Sequence, residues 1–537
     1  MTRLLQYLMV FFVFLAACSP RSEGPAEPVE PSGTLTFIHL NDTYRIDAVE
    51  EGRAGGFGRV VTIVRRLQQQ GNDVRILHGG DFLFPSLESQ LWQGEQIVDA
   101  FNFMDDIAPM YVVPGNHEFD RRSPEAVINA IRLSEFDWLG DNVRLLTGDE
   151  IIDQSMQTGF VLEAGGKKIG IFALTIHQDD GGNDRDYAPI DRDYVGIAEA
   201  SIKRLEAENV DAIIGLTHLH LWTDKEIAKL KASHPRFLFI AGGHEHEPQH
   251  EAATAESAEI VKGASNARTI WQIDVSFPED DGIPEIVTKR IKLDESVATD
   301  ADYEILESRW RRKLLEKIPF LPARIGTAAV PLDAREVTIR NEESSWANFI
   351  VDQMRSAFGE PAADFAFVNS GTLRIDDYIA EDITFEDVGR TFGFSSYLRY
   401  LVLSGSDFKT VMEAGYRGVG PSKGYFPQIS GFRVCVDRRG PEGDRVIQLQ
   451  VPADHGWDDI DPAKDYLVVA PDYLYRGGDG YDFSRARDVS RPGSELKYLV
   501  LDAIIRAQAV GEMIGEPVNP LEPRIAMLAE GEEMCFE

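Results

Sequence analysis

Three things are scarce in this chain. Cysteine occurs only three times in 537 residues, at Cys18, Cys435 and Cys535, too few for a fold held by disulfides. Positive charge is outnumbered, with 54 Lys and Arg against 89 Asp and Glu and a net charge of −35. That deficit excludes a nucleic-acid polymer as partner, since such binders need clustered cations to displace counterions. It equally excludes docking on anionic lipid by charge alone. Long apolar runs are also missing: none reaches the ~20 residues that span a bilayer. What remains is an ordinary globular composition, 43% apolar and 27% charged. The length suits two to four domains.

The N-terminus reads as a processing signal. Arg3 precedes an apolar stretch over 4–15, and Ala16 and Ala17 lead into Cys18. Leu15-Ala16-Ala17-Cys18 resembles a bacterial lipobox, which implies a signal peptide over 1–17 and lipidation of Cys18; plain secretion is the alternative. Residues 18–33, rich in Pro, Glu and Ser, read as a disordered tether. Both readings place the protein outside the cytosol. Ser19 after the lipidated cysteine points to the periplasmic side of an outer membrane, with the lipid as the membrane contact. Cys435 lies in an apolar strand-like run and is read as a buried free thiol; Cys535 lies in an acidic tail over 516–537.

Short apolar runs over 35–40, 74–77, 110–113, 168–174, 210–216 and 236–241 are each bounded by Gly, Asp or other polar residues, as suits buried strands. Helix-like segments over 58–69 and 197–208 lie between some of them. This is an α/β layered domain over 34–294, closed by β-structure over 261–293. Thr299 and Asp300 can cap a helix running to about residue 317, which two prolines then end. Charged on most of its faces, this linker over 295–323 reads as a strut between domains. A mixed α+β domain follows over 324–515, with a helix over 346–358.

Chemistry concentrates where the N-terminal strands end. The runs finish in Asn41-Asp42, Gly79-Gly80-Asp81, Gly115-Asn116-His117-Glu118, Thr217-His218 and Gly242-Gly243-His244-Glu245-His246. The carboxyl ends of strands are where α/β sheets build their sites. Carboxylate, amide and imidazole groups beside glycines suit borderline-hard divalent cations. Of 11 histidines only His455 lies beyond residue 250; a scatter of core histidines would not cluster so.

These motifs, above all Gly115-Asn116-His117-Glu118-Phe119-Asp120, resemble the calcineurin-like metallophosphoesterases, specifically the 5′-nucleotidase and UDP-sugar hydrolase family. The resemblance implies a layered metallophosphoesterase β-sandwich flanked by helices, joined by the linker helix to a substrate-binding domain. It implies two divalent ions (Mn, Zn, Co or similar) with Asp81 bridging, one held by Asp42 and His246, the other by Asn116, His218 and His244. His117 would stabilise the transition state and protonate the leaving group, with Asp120 orienting it. One position departs from the pattern: Asp42-Thr43-Tyr44 stands where the family commonly has Asp-X-His. Either Tyr44 coordinates as a phenolate, against an ordinary pKa of ~10, or the first metal has fewer protein ligands. A subgroup resembling mannosylglucosyl-3-phosphoglycerate phosphatase also carries Asn-Asp-X-Tyr.

The C-terminal half carries matching motifs. Glu343-Ser344-Ser345-Trp346-Ala347-Asn348 and Asn369-Ser370-Gly371-Thr372-Leu373-Arg374 resemble family segments, as does the stretch from Asp472 to Tyr481. Carried over, Arg374 would bind phosphate or carboxylate with Asn369 supporting it. Phe392 and Tyr473 would sandwich a flat ring, Asp479 would accept from sugar hydroxyls, and Arg340 is a further phosphate candidate. Phe392 and Tyr473 could equally be core aromatics. The expected activity is hydrolysis of small phosphate monoesters, first 5′-nucleotides. The alternatives are a sugar-phosphate or phosphoglycerate-ester phosphatase of the same fold, and a non-catalytic ligand-binding lipoprotein.

Overall fold

The computed structural model describes residues 34–536 except 178–184, 280–281, 419–422 and 489–492. Cys18, the signal peptide and the tether lie outside the described residues. No described helix is long and apolar enough to cross a membrane.

The N-terminal domain is a sandwich of two six-stranded sheets. The first is built from β1 (Thr34–Leu40), β2 (Asp73–His78), β3 (Met110–Val112) and β4 (Asp137–Trp138), all parallel. The second takes β5 (Phe160–Ala164), β6 (Lys167–Thr175), β7 (Ala212–His218), β8 (Phe237–Gly242), β9 (Gln249–Glu251) and β10 (Glu259–Lys262). Strands β6, β7, β8 and β10 run parallel, with β5 and β9 antiparallel at the edges. Two antiparallel strands, β11 (Thr269–Ser276) and β12 (Glu285–Lys292), extend the first sheet beyond β1.

The central strands have apolar residues on both faces because both are covered. Phe37, Leu77, Ile171, Ile214, Phe239 and Ile273 fill the space between the sheets. On the outer face of the first sheet, Ile38 and Ile76 meet Val60, Val64 and Phe101 of helices. The outer face of the second sheet packs against helix Tyr194–Ala207 through Ala198, Ile202 and Leu205. The layered α/β class expected from the sequence is the class observed.

Helix Ala301–Lys317 begins where expected, the Asp300 carboxylate accepting from the N–H groups of Asp302 and Tyr303. It is not a free strut. Tyr303, Leu306, Trp310 and Leu314 form a buried stripe at helical spacing, and most of that stripe joins the N-terminal core. In the C-terminal domain a five-stranded sheet centres on Phe365–Asn369 and Asp465–Pro471, covered by helices Ser345–Ser356 and Leu496–Val510.

Two expectations for the C-terminus are corrected. Residues 516–537 are not simply a surface tail, because strand Ile525–Met527 pairs in parallel with Arg433–Val436. That pairing carries Cys535 beside Cys435, and the two form a disulfide with Cα atoms 5.5 Å apart. Cys435 is therefore not a free thiol. A three-residue strand inside an acidic segment leaves almost no periodic signal to read.

Candidate metal centre

Five strand ends converge at one edge of the sandwich, and backbone bonds lock them together. The Asp42 N–H donates to Gly80 O at 2.9 Å, Gly243 N–H to Thr217 O at 2.8 Å, and Asn266 N–H to Asp42 O at 2.9 Å. The turns are tight enough to require unusual backbone. Asp42 (φ 53°), Asp81 (φ 61°) and His244 (φ 80°) all occupy the left-handed region, which non-glycine residues visit rarely and at a cost. Glycine is needed where strand ends touch: a Cβ on Gly243 would sit 2.0 Å from Gly79 O, and one on Gly115 2.2 Å from Asp81 Oδ1.

Two buried charged residues, Glu118 and Lys262, hold this frame. Glu118 accepts from the N–H groups of Asp81 (2.9 Å), Phe82 (2.7 Å), Leu83 (2.9 Å) and Gly115. Lys262 donates to Leu219 O (2.6 Å) and Gly243 O (2.9 Å) and pairs with Asp224 (2.7 Å) and Glu245 (2.5 Å). Glu118 lies inside the motif read at that strand end. Lys262 ends the four-residue strand Glu259–Lys262, and nothing in that short run marks it out.

Around Asp81 the predicted ligands come together. Its Oδ2 lies 3.2 Å from His218 Nε2 and 3.9 Å from His117 Nε2, and its Oδ1 accepts from the His117 N–H at 2.8 Å. Asp42 Oδ1 lies 3.3 Å from His246 Nε2, while Oδ2 accepts from the His244 N–H at 2.9 Å. The His218 and His244 rings are 5.3 Å apart. Tyr44 enters the same cluster, its hydroxyl 3.4 Å from both Asp42 and Asp81 and 3.2 Å from His246 Nε2.

Burial shapes the charges. It pushes the Asp42 carboxyl up to about 7, against the pull of His218. Burial alone would depress His218, but Asp81, Asp42 and the Gly79 carbonyl together outweigh it and raise the imidazole to about 9. Asp81 itself resists burial and is held low by His218 and His117. His246 falls to about 4 through burial and the Arg340 charge. The Tyr44 phenol is driven well above its ordinary value by burial, Asp81 and Asp42.

The residues fit divalent cations. Ligand atoms of Asp42, Asp81 and His218 all lie within 4.8 Å of one another. Asn116 Oδ1 is buried with no hydrogen-bond donor among the described residues, an arrangement that natural structures rarely leave without purpose. Beside it, His117 Nδ1 is 2.9 Å from Asp120 Oδ2. Burial opposes a proton on His117, yet Asp120 and Asp81 raise its pKa.

The C-terminal domain reaches into this cluster. Arg374 Nη2 stands 3.3 Å from His117 Nε2, its Nε donates to Gly371 O at 2.7 Å, and its guanidinium lies 5.4 Å from the Tyr44 ring centre. Its Nη1 is buried with no acceptor among the described residues. Asn369 donates to Asp479 Oδ2 at 2.7 Å, and the Tyr473 hydroxyl donates to Asp479 Oδ1 at 2.9 Å. Phe392 is not at the site: it is 1% exposed and belongs to the C-terminal core. The nearby ring is Phe394, 5.8 Å from His117 and 5.3 Å from the Arg374 guanidinium. Arg340 does not stand free for a phosphate but pairs with Glu336 behind His246.

An α/β sandwich whose strand ends gather carboxylate, amide and imidazole groups defines a metal-dependent phosphoesterase. Residues 35–248 match the calcineurin-like phosphoesterase family, and residues 324–485 match the 5′-nucleotidase C-terminal domain. The chain belongs to the calcineurin-like phosphoesterases of the 5′-nucleotidase type, hydrolases of phosphoric ester bonds. It is 24% identical to the mouse 5′-nucleotidase over 499 residues, 85% of each chain. It is also 24% identical to the trifunctional nucleotide phosphoesterase of Bacillus subtilis, covering 89% of this chain but 34% of that protein. Among solved structures, the 5′-nucleotidase precursor of Thermus thermophilus matches with a TM-score of 0.78 at 22% identity, over 93% of this chain and all of that one. The sulfate thiohydrolase SoxB of the same organism matches at 0.70 and 17%, over 93% and 98%. At such identities these two structures speak to the fold alone.

Proposed function

We propose that the protein is an exported phosphatase that uses two divalent ions to hydrolyse small phosphate monoesters, foremost 5′-nucleotides. The observation that carries this reading is the meeting of Arg374 with His117 at the edge of the Asp42–Asp81–His218 cluster. A half-buried cation from one domain thus meets His117 of the other, beside the carboxylates of the cluster.

Asp42 and His246 would hold one ion and Asn116, His218 and His244 the other, with Asp81 available to both; burial, Asp81 and Asp42 oppose the phenolate that Tyr44 would need to join the first. Bound ions supply Lewis-acid polarisation of the phosphoryl group and an acidified water. The chain's own groups do the rest. Arg374 orients the phosphoryl oxygens and opposes their growing charge. His117, its Nδ1 anchored by Asp120, presents Nε2 to the ester and gives a proton to the leaving oxygen. Phe394 and Tyr473 offer ring faces for a flat leaving group, and Asp479, backed by Asn369, accepts from hydroxyls.

A second reading within the same chemistry is a sugar-phosphate or phosphoglycerate ester. The Asn41-Asp42-Thr43-Tyr44 motif favours it, being the form carried by the subgroup that resembles mannosylglucosyl-3-phosphoglycerate phosphatase. Export is supported by the Cys435–Cys535 disulfide, a bond that persists outside the reducing cytosol, together with the lipobox-like Cys18. The test is a substrate panel on the chain lacking its leader, with Mn²⁺, Zn²⁺ or Co²⁺, using nucleoside monophosphates, sugar phosphates, 3-phosphoglycerate esters and an aryl phosphate. Turnover of one class above a His117→Ala control is expected. No turnover with any metal would leave the binding-lipoprotein alternative.

A further inference from the structure

Glu336 belongs to the C-terminal domain, yet its carboxylate serves the N-terminal one. It opens the short helix Glu336–Ile339, is 6% exposed, and its N–H donates to Asp376 Oδ1 at 2.9 Å. Its Oε1 lies 2.7 Å from His246 Nδ1 and pairs with Arg340. Its Oε2 accepts from Ser265 Oγ at 2.5 Å, with Arg268 Nη2 at 3.5 Å. Across the imidazole, His246 Nε2 faces Asp42 Oδ1 at 3.3 Å and the Tyr44 hydroxyl at 3.2 Å.

An imidazole whose Nδ1 meets a carboxylate donates its proton there and turns the Nε2 lone pair outward. Such a pairing fixes the ring's orientation and raises its strength as a ligand. The demand is unusual at this end of the cluster. Tyr44 supplies a phenol where another imidazole would serve better, so the orientation of His246, whose Nε2 lies 3.3 Å from Asp42 Oδ1, matters more. The carboxylate that steadies it arrives from about 90 residues further along the chain and from the other domain.

We infer that Glu336 is a positioning residue for His246, so that cation affinity at the Asp42–His246 end depends on the C-terminal domain being docked. The inference rests on the reading of Asp42 and His246 as ligands to one of two ions. Glu336 and Arg374 travel on the same domain, so docking that brings Arg374 to His117 also brings the carboxylate to His246. By linkage, a cation at this end favours the docked arrangement to the same degree that docking favours the cation.

The test is titration of metal-stripped, full-length mature protein with Mn²⁺, counting free Mn²⁺ by electron paramagnetic resonance. Wild type is expected to bind two ions. In Glu336→Gln one of the two should weaken roughly 10- to 100-fold, the range typical of losing such a partner, with the other unchanged. Ser265→Ala keeps the carboxylate but removes the hydroxyl that steadies it, and should weaken the same ion by a few-fold. If Glu336→Gln fails to fold, Ser265→Ala carries the test alone. Unchanged binding, or equal weakening of both ions as a general loss of structure would give, overturns the inference. A wild-type chain that binds no Mn²⁺ overturns instead the two-metal reading on which it rests.

Discussion

The two domains meet at one site but bring groups of different kinds. The N-terminal domain presents Asp42, Asp81 and His244 on left-handed turns, braced from behind by Glu118 and Lys262. These side chains are short, and their positions are set by the backbone. The C-terminal domain contributes Arg374 and Glu336, long side chains that reach across an interface and are seated by contacts on the far side. The first arrangement is a fixed cage suited to ligating ions. The second depends on docking and suits a substrate that must enter and leave.

That contrast can be broken or sharpened by substitution, beginning with the cage. Lys262→Met leaves Asp224 and Glu245 buried without their cation, and should cost about 3–5 kcal/mol of stability, read by urea unfolding. Survival of the fold with little loss would mean that the strand ends are not held as described. His117→Ala should lower kcat by about 10²- to 10⁴-fold, the usual worth of a positioned proton donor, with metal content unchanged by elemental analysis.

On the docking side the effects should be smaller and confined to substrate. Arg374→Ala is expected to reduce kcat/KM about 10- to 100-fold, as for a lost charge-assisted hydrogen bond. Metal content should again hold, and its loss would assign Arg374 to the cage. Tyr473→Ala should cost a nucleoside monophosphate about 0.5–1.5 kcal/mol, the worth of one ring contact, while sparing an aryl phosphate whose ring is engaged elsewhere. Equal loss on both would show that Tyr473 supports Asp479 rather than a base.

The same contrast explains what could be read from the chain. Asp42, Asp81, His117, His218 and His246 stand at strand ends in short local motifs that announced them, and the layered α/β domain followed from the spacing of apolar runs. The C-terminal contributions were less legible because their partners lie far away in sequence. Nothing near Glu336 announces His246. Phe392 and Phe394 are close neighbours in the chain, and only the end of helix Phe385–Thr391 decides that the first turns into the core and the second toward His117. The linker helix hid its buried stripe under charge, since four buried side chains in 17 residues suffice to seat it. Cys535 was unreadable as a partner for Cys435 because the strand Ile525–Met527 that delivers it is so short.

If the proposed function holds, phosphate-ester hydrolysis depends on ions held by a cage centred on Asp81. The most direct measurement is phosphate release by the mature protein before chelation, after exhaustive chelation, and after Mn²⁺ is returned, with Asp81→Asn run alongside. Turnover should vanish on chelation, return with Mn²⁺, and stay absent in Asp81→Asn at every step. Turnover that survives chelation, or that Asp81→Asn retains, would contradict that dependence.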